Sequence, residues 1–166
     1  MHESVYEWVG RKVAELGLAG QSCLDVGSYA LPDSQKIRDL FTGDFMGIDE
    51  REGPNVDHVW PAQRAGSVGA FPVVVCTEVL EHVEDPFEAV LGLWGAMTRS
   101  GHLLLTCRGF DERGTYPPHD FPRDYWRFGR ESFKALLPPR LFDSVSVEAD
   151  PQFPGWFVHA QRDAPS

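Results

Sequence analysis

Residues 71–90 read "FPVVVCTEVLEHVEDPFEAV", and the fold class turns on how this stretch divides. "FPVVVC" is a continuous apolar run rich in β-branched residues, the pattern of a strand buried on both faces. "DPFE" has the composition of a helix start, with Asp85 at the N-cap, Pro86 at the first helical position and Glu88 two residues on. Phe87, Val90, Leu91, Trp94 and Met97 then recur at helical spacing, which predicts one apolar face, and Gly101 is expected to close the end. Between strand and helix stands an acid, Glu78.

The same alternation extends in both directions. Upstream, "SCLDV" (22–26) reads as a short buried strand, "DFMGID" (44–49) as a second and "NVDHVW" (55–60) as a third. Downstream, "HLLLTC" (102–107), "FDSVSVE" (142–148) and "GWFVHAQ" (155–161) read as strands, the last two joined by a Pro/Gly turn. Residues 4–16 are predicted to form an amphipathic helix. Ser4 and Glu7 offer a capping box, Val5, Trp8, Val9, Val13 and Leu16 an apolar face, and Gly17 and Gly20 a stop. Further helices are predicted over 33–41, ended by Gly43, and over 130–137, ended by Pro138 and Pro139. Strands alternating with helices in 166 residues argue for one domain built on an open, mostly parallel α/β sheet. In such sheets ligands bind beyond the carboxyl ends of the strands, where strand order reverses.

Three of the four relevant strand ends present an acid: Asp25, Asp49 and Glu78. The first of them lies in "CLDVGSYALPDS" (23–34), where a dinucleotide-binding turn would continue as G-x-G-x-x-G. A pyrophosphate there would meet Asp25 and lack the glycines that let backbone approach it, which disfavours NAD, FAD and nucleoside triphosphates. A ligand carrying positive charge and a free ribose fits better, with Asp25 and Glu78 facing the charge and Asp49 accepting from both ribose hydroxyls. A net charge of −10 opposes nucleic acid as a partner, the arginines between Arg108 and Arg130 being a local exception. No apolar run approaches the roughly 20 residues of a membrane span, and "MHESVYEWVG" lacks the pattern of a secretory leader. Cys23, Cys76 and Cys107 have no metal-type spacing and border apolar runs, which predicts buried thiols in a reducing, cytoplasmic setting.

On "CLDVGS", "FMGIDEREGPNVD", "VVVCTEVLEHVEDPFEAV", "SGHLLLTC" and "HDFPRDYWRF", the chain resembles the class I S-adenosylmethionine-dependent methyltransferases over nearly its whole length. It looks most like a small type-11-like subgroup whose first motif reads D-V-G-S. The resemblance implies a single-domain, Rossmann-like seven-stranded sheet of order 3-2-1-4-5-7-6 with strand 7 antiparallel, and S-adenosyl-L-methionine as cofactor. It further implies that Asp25 and Gly27 line the methionine end, Asp49 holds the ribose, Glu50 flanks the adenosine pocket, and Cys76, Thr77 and Glu78 lie beneath the cofactor. Ser28 takes over part of what a second glycine permits. The adenine turn departs from the pattern: "WPAQ" puts Pro61, not an acid, before Ala62, leaving adenine to backbone and packing.

His82, after the fourth strand, is a candidate for the transfer site. "PPHDFPRDYWRF" (117–128) is the other polar constellation. Its Phe121, Trp126 and Phe128 suit core or rim, whereas His119, Asp120, Tyr125 and Arg127 suit an acceptor pocket, with His119 or His82 as the base for a hydroxyl acceptor. His119, Asp120 and Asp124 have no ligand spacing, so no metal is expected. Trp8, Trp60, Trp94 and Trp156 read as packing, and Arg108 and Arg113 as a solvated loop. The expected activity is methyl transfer to a hydroxyl or amine of a small-molecule or glycan-type acceptor. The alternatives are a non-catalytic module of the same fold that binds a partner protein, and a nucleic-acid methyltransferase.

Overall fold

A computed structural model describes residues 2–32, 34–110, 114 and 123–163. Seven strands form one sheet in the order β3-β2-β1-β4-β5-β7-β6. They are β1 (Cys23–Val26), β2 (Phe45–Asp49), β3 (His58–Val59), β4 (Phe71–Thr77), β5 (Met97–Arg108), β6 (Phe142–Ala149) and β7 (Gly155–Arg162). β1 to β5 pair in parallel, and β7 runs antiparallel to both β5 and β6. Consecutive residues of the central strands enter opposite cores. Val74, Cys76, Leu103 and Leu105 pack on one side with α2 (Pro86–Gly95) and α3 (Ser132–Leu136). Val73, Val75 and Leu104 pack on the other with Val5, Trp8, Val9 and Val13 of α1 (Glu3–Glu15). Burial on both faces is why these strands read as unbroken apolar runs.

Several local expectations are corrected. His2, not a serine, is the N-cap of α1, and the Ser4–Glu7 capping box does not form. Ser4 lies inside the first turn, where its hydroxyl donates to Asp150. Leu16 falls beyond the helix and is exposed. The helix expected over 33–41 reduces to a single 3₁₀ turn, Ile37–Leu40, because Arg38 is bonded to Asn55 and Asp57 across the sheet edge and Ile37 and Phe41 are drawn into the core. The third strand is only two residues long.

The start of α2 matches expectation, since the Asp85 carboxylate accepts from the amides of Phe87 and Glu88. Its buried face does not: Ala89, Val90, Gly92 and Leu93 are inside, while Phe87 and Leu91 are exposed. The helix is rotated because its small residues are pressed against the 3₁₀ segment Ala62–Ser67. A Cβ on Gly92 would lie 2.4 Å from the Ala62 carbonyl oxygen. Gly101 does not end α2 either. The helix stops at Gly95, β5 has begun by Met97, and Gly101 sits within it, beside Ser100 at φ 58°. The three cysteines are buried thiols. No helix among the described residues is long and apolar enough to cross a membrane.

Candidate functional site

β1 and β4 are adjacent, and the chain leaves them toward opposite halves of the sheet, so the reversal of strand order lies between their carboxyl ends. A cavity of about 580 Å³ opens there. Gly27 forms its floor at φ +83°, and a Cβ at this position would lie 2.2 Å from Val79 Cγ2. Both the left-handed backbone and the contact with the strand-4 exit therefore require glycine.

On one side of the cavity stand Tyr29, Asp49, Glu50, Arg51, Trp60 and Ala62. Asp49 is the last residue of β2 and is buried. Its Oδ2 accepts the Tyr29 amide at 3.3 Å and its Oδ1 the Arg51 amide at 3.0 Å. The Arg51 guanidinium lies 3.6 Å from the same carboxylate and stacks over the Tyr29 ring at 4.7 Å. On the other side stand Thr77, Glu78, His82, Arg108, Arg123 and Tyr125, with His2 at the edge. Glu78 takes a left-handed conformation, φ 55°, held by its amide donating to the Thr106 carbonyl at 3.0 Å. A non-glycine residue held this way at a ligand-facing strand end is a cost that surrounding structure must offset.

The Glu78 carboxylate receives the Thr106 hydroxyl at 3.2 Å and lies 2.7 Å from Arg108 Nε. That approach is an ion pair without the alignment of a hydrogen bond. Arg108 in turn contacts the His2 ring. It is thus a half-buried partner of an acid at the end of β5 and not the solvated loop residue expected from sequence. Burial pushes the Glu78 carboxyl up despite Arg108 and Thr106. Glu81 is fully buried beside it and is pushed up further, by desolvation first and by Glu78 second.

Of the residues singled out from sequence, the fold brings Gly27, Asp49, Glu50, Ala62, Thr77, Glu78, His82 and Tyr125 to the cavity wall. Asp25, Ser28 and Cys76 are buried behind it. Burial raises the Asp25 carboxyl to about 7, with Asp49 adding to the rise and Arg38 opposing it. Neither Asp25 Oδ1 nor Ser28 Oγ has a hydrogen-bond partner. The Arg127 side chain is turned inward onto the Asp124 carboxylate. His119 and Asp120 lie outside the described residues.

The neighbouring segment straps the cavity mouth to the end of β4. The Tyr125 and Trp126 amides both donate to the Glu81 carbonyl, the Trp126 indole donates to the Val83 carbonyl at 2.8 Å, and the Tyr125 hydroxyl to Glu84 at 3.1 Å. Sequence reasoning passed over Arg108, Arg51, Tyr29 and His2. Only Arg108 left a usable signal, as a basic residue at the carboxyl end of an apolar strand. Among the described residues no cluster suits a metal ion.

No model of a protein family matches the chain, and neither does any curated protein sequence. Solved structures do. The chain is similar to 1,6-didemethyltoxoflavin-N1-methyltransferase of Burkholderia thailandensis, determined with 1,6-didemethyltoxoflavin and S-adenosylhomocysteine. There the TM-score is 0.74 at 14% identity, over 97% of this chain and 79% of that one. It is also similar to the N-terminal domain of EvdMO1, determined with S-adenosylhomocysteine and D-fucose, at a TM-score of 0.67 and 16% identity, over 99% of this chain and 84% of that one. A third is an S-adenosylmethionine-dependent methyltransferase from Archaeoglobus fulgidus, at a TM-score of 0.65 and 12% identity, over 95% of this chain and 94% of that one. With the strand order and the antiparallel seventh strand, these likenesses establish that the chain has the fold of the class I S-adenosylmethionine-dependent methyltransferases.

Proposed function

We propose that the protein is an S-adenosylmethionine-dependent methyltransferase acting on a hydroxyl or amine of a small-molecule or glycan-type acceptor. The observation that carries this reading is Asp49. It is a buried carboxylate at the end of β2, next to the switch point, fixed by two backbone amides. Beside it runs a first turn that has one glycine and the acid Asp25 where a pyrophosphate site has further glycines. A cavity of about 580 Å³ falls in the range of small-molecule sites, roughly 300–1,000 Å³. Two structural neighbours were determined with S-adenosylhomocysteine and a small molecule, 1,6-didemethyltoxoflavin or D-fucose, which favours a small acceptor here.

The residues fit that donor. Asp49 would accept from the ribose hydroxyls, Glu50 would flank the adenosine, and Trp60 and Ala62 would give adenine an apolar wall without an acid. Gly27 supplies the open cradle for the amino-acid end. Asp25 and Ser28 behind the first turn, and Cys76 with Thr77 and Glu78 beneath it, shape the floor. When bound, S-adenosylmethionine supplies an electrophilic methyl group. The chain's own contribution is alignment of an in-line displacement and exclusion of water. His82 stands on the opposite side as the base that would take a hydroxyl proton, and Tyr125 is the acceptor-side wall. Arg127 acts from behind that wall; His119 is the other candidate base and Asp120 a further acceptor contact, both read from the sequence and lying outside the described residues.

Calorimetry tests the reading. S-adenosylhomocysteine should bind and NAD should not, and Asp49→Ala should weaken binding by about 1.5–3 kcal/mol, the loss of hydrogen bonds to a charged group. An unchanged affinity in Asp49→Ala, or binding of NAD in preference, overturns it. Binding without turnover of any acceptor would favour the non-catalytic module.

A further inference from the structure

The Ser28–Tyr29 peptide is held from both ends. Its N–H, belonging to Tyr29, donates to Asp49 Oδ2 at 3.3 Å. Its C=O, belonging to Ser28, accepts from the Asn55 side-chain amide at 2.9 Å. In a planar trans peptide these two groups point in opposite directions, so fixing one fixes the other. Asn55 itself is locked: its side-chain oxygen accepts from Arg38 Nε at 3.0 Å, and its backbone is left-handed, φ 71°. Arg38 also bonds Asp57, which accepts the Gly47 amide at 2.7 Å within β2. Among the described residues the first turn leads into no regular helix. The neighbouring peptides are fixed by the Ser28 amide donating to the Ile48 carbonyl at 3.0 Å and the Ala30 amide to the Pro54 carbonyl at 3.1 Å. The peptide between them is fixed by the Asp49 and Asn55 side chains.

We propose that Asn55, which does not line the cavity, is a positioning residue for donor binding. By holding the Ser28 carbonyl it turns the Tyr29 amide onto Asp49 and presets the carboxylate for the ribose. The proposal rests on the donor reading above. A flipped Ser28–Tyr29 peptide would bring a carbonyl oxygen against the Asp49 carboxylate and remove one of its two amide donors. Asn55 thus performs, through one peptide plane, the restraint that a first-turn helix provides through its own hydrogen bonds.

Asn55→Gly separates the two roles of this residue, because glycine keeps the left-handed backbone while removing the side-chain bonds. Three measurements on the full chain follow. Calorimetry with S-adenosylhomocysteine should show Kd raised about 5- to 30-fold, at or below the roughly 10- to 160-fold of losing a hydrogen bond to a charged group outright, because Asp49 keeps the Arg51 amide. The double variant Asn55→Gly/Asp49→Ala should bind no more weakly than Asp49→Ala alone, since the clamp acts only through that carboxylate. Without ligand, the Tyr29 amide should exchange its hydrogen faster in Asn55→Gly than in wild type. Asn55→Asp, which sets a carboxylate oxygen against the Ser28 carbonyl, should be at least as impaired. Wild-type affinity in Asn55→Gly, or losses that multiply in the double variant as a merely structural role would give, overturns the proposal while leaving the donor reading intact. A wild-type titration with no heat and no competition overturns the donor reading, and the proposal falls with it.

Discussion

Replacing Asp25 with asparagine should stabilise the protein at alkaline pH and not at acid pH. Asp25 is 2% exposed in the middle of the sheet, with Oδ1 unpartnered. Burial raises its carboxyl from 3.8 to about 7. The unfolded chain therefore releases this proton through the lower value while the folded chain keeps it until the higher one. Between about pH 4 and pH 7 the folded state binds more protons, so stability falls as pH rises, and above that window the full penalty is present. Roughly three decades of proton affinity at about 1.4 kcal/mol each set a ceiling of about 4 kcal/mol. Relaxation and water entry reduce this, so a gain of about 1–3 kcal/mol for Asp25→Asn is expected at pH 8. Near pH 4, where the native carboxyl is neutral, the two proteins should differ by less than about 1 kcal/mol. Urea unfolding at pH 4.5, 6 and 8 reads this directly as a midpoint difference that widens with pH, of order 1 M at pH 8 for an m-value of about 2 kcal/mol/M. A difference that is constant with pH, or a less stable Asp25→Asn at pH 8, refutes the reasoning.

Other perturbations have equally definite outcomes. Gly27→Ala, which combines a left-handed backbone with a Cβ at 2.2 Å from Val79, should cost about 1–3 kcal/mol of stability in a melt and abolish S-adenosylhomocysteine binding. Arg108→Met leaves the partly buried Glu78 beside Glu81 without its cation; it should destabilise by about 1–3 kcal/mol, below the value for a fully buried pair, and adding Glu78→Gln should restore much of that in chemical unfolding. His159 donates or accepts across 3.0 Å to His102, and burial lowers it to about 4. The unfolded chain then takes up a proton first as pH falls, so stability is lost below about pH 6.5, and His159→Phe should flatten that acid limb of the unfolding midpoint. The three buried thiols should react with a thiol reagent only at the rate of unfolding, which stopped-flow absorbance with and without urea distinguishes.

The sheet was legible because both its faces are covered. Unbroken runs such as "FPVVVC" and "HLLLTC" have one physical reading at that length, and Asp85–Pro86 has one start. What sequence missed was decided at a distance. The apolar face of α2 was misplaced because Gly92 and Ala89, which look like weak core formers, permit backbone contact with Ala62–Ser67 that Phe87 and Leu91 would block. The helix over 33–41 failed because Arg38 spends its donors on Asn55 and Asp57. In the site, the acids at strand ends were visible since strand ends gather by topology. Arg51, Tyr29 and the Asn55 clamp were not, because their roles come from stacking and side-chain bonds between loops with no periodicity to betray them.

The two walls of the cavity come from different stretches of chain. Residues drawn from 26–31, 49–51 and 60–63 line the wall carrying Asp49, and residues from 77–84 with Arg108, Arg123, Tyr125 and His2 line the wall carrying Glu78. In the second wall, Tyr125 and Trp126 are tied to the turn after β4 by their amides, both donating to the Glu81 carbonyl, and by the Trp126 indole donating to the Val83 carbonyl. The two amide bonds do not depend on the side chain displayed, so the strap can keep its course when Tyr125 is exchanged, provided the Trp126 indole stays. The fold therefore separates what must stay constant from what is free to drift. Substitutions at Arg123 and Tyr125, the two residues of this stretch on the cavity wall, can change the shape of that wall without disturbing the Asp49 carboxylate opposite.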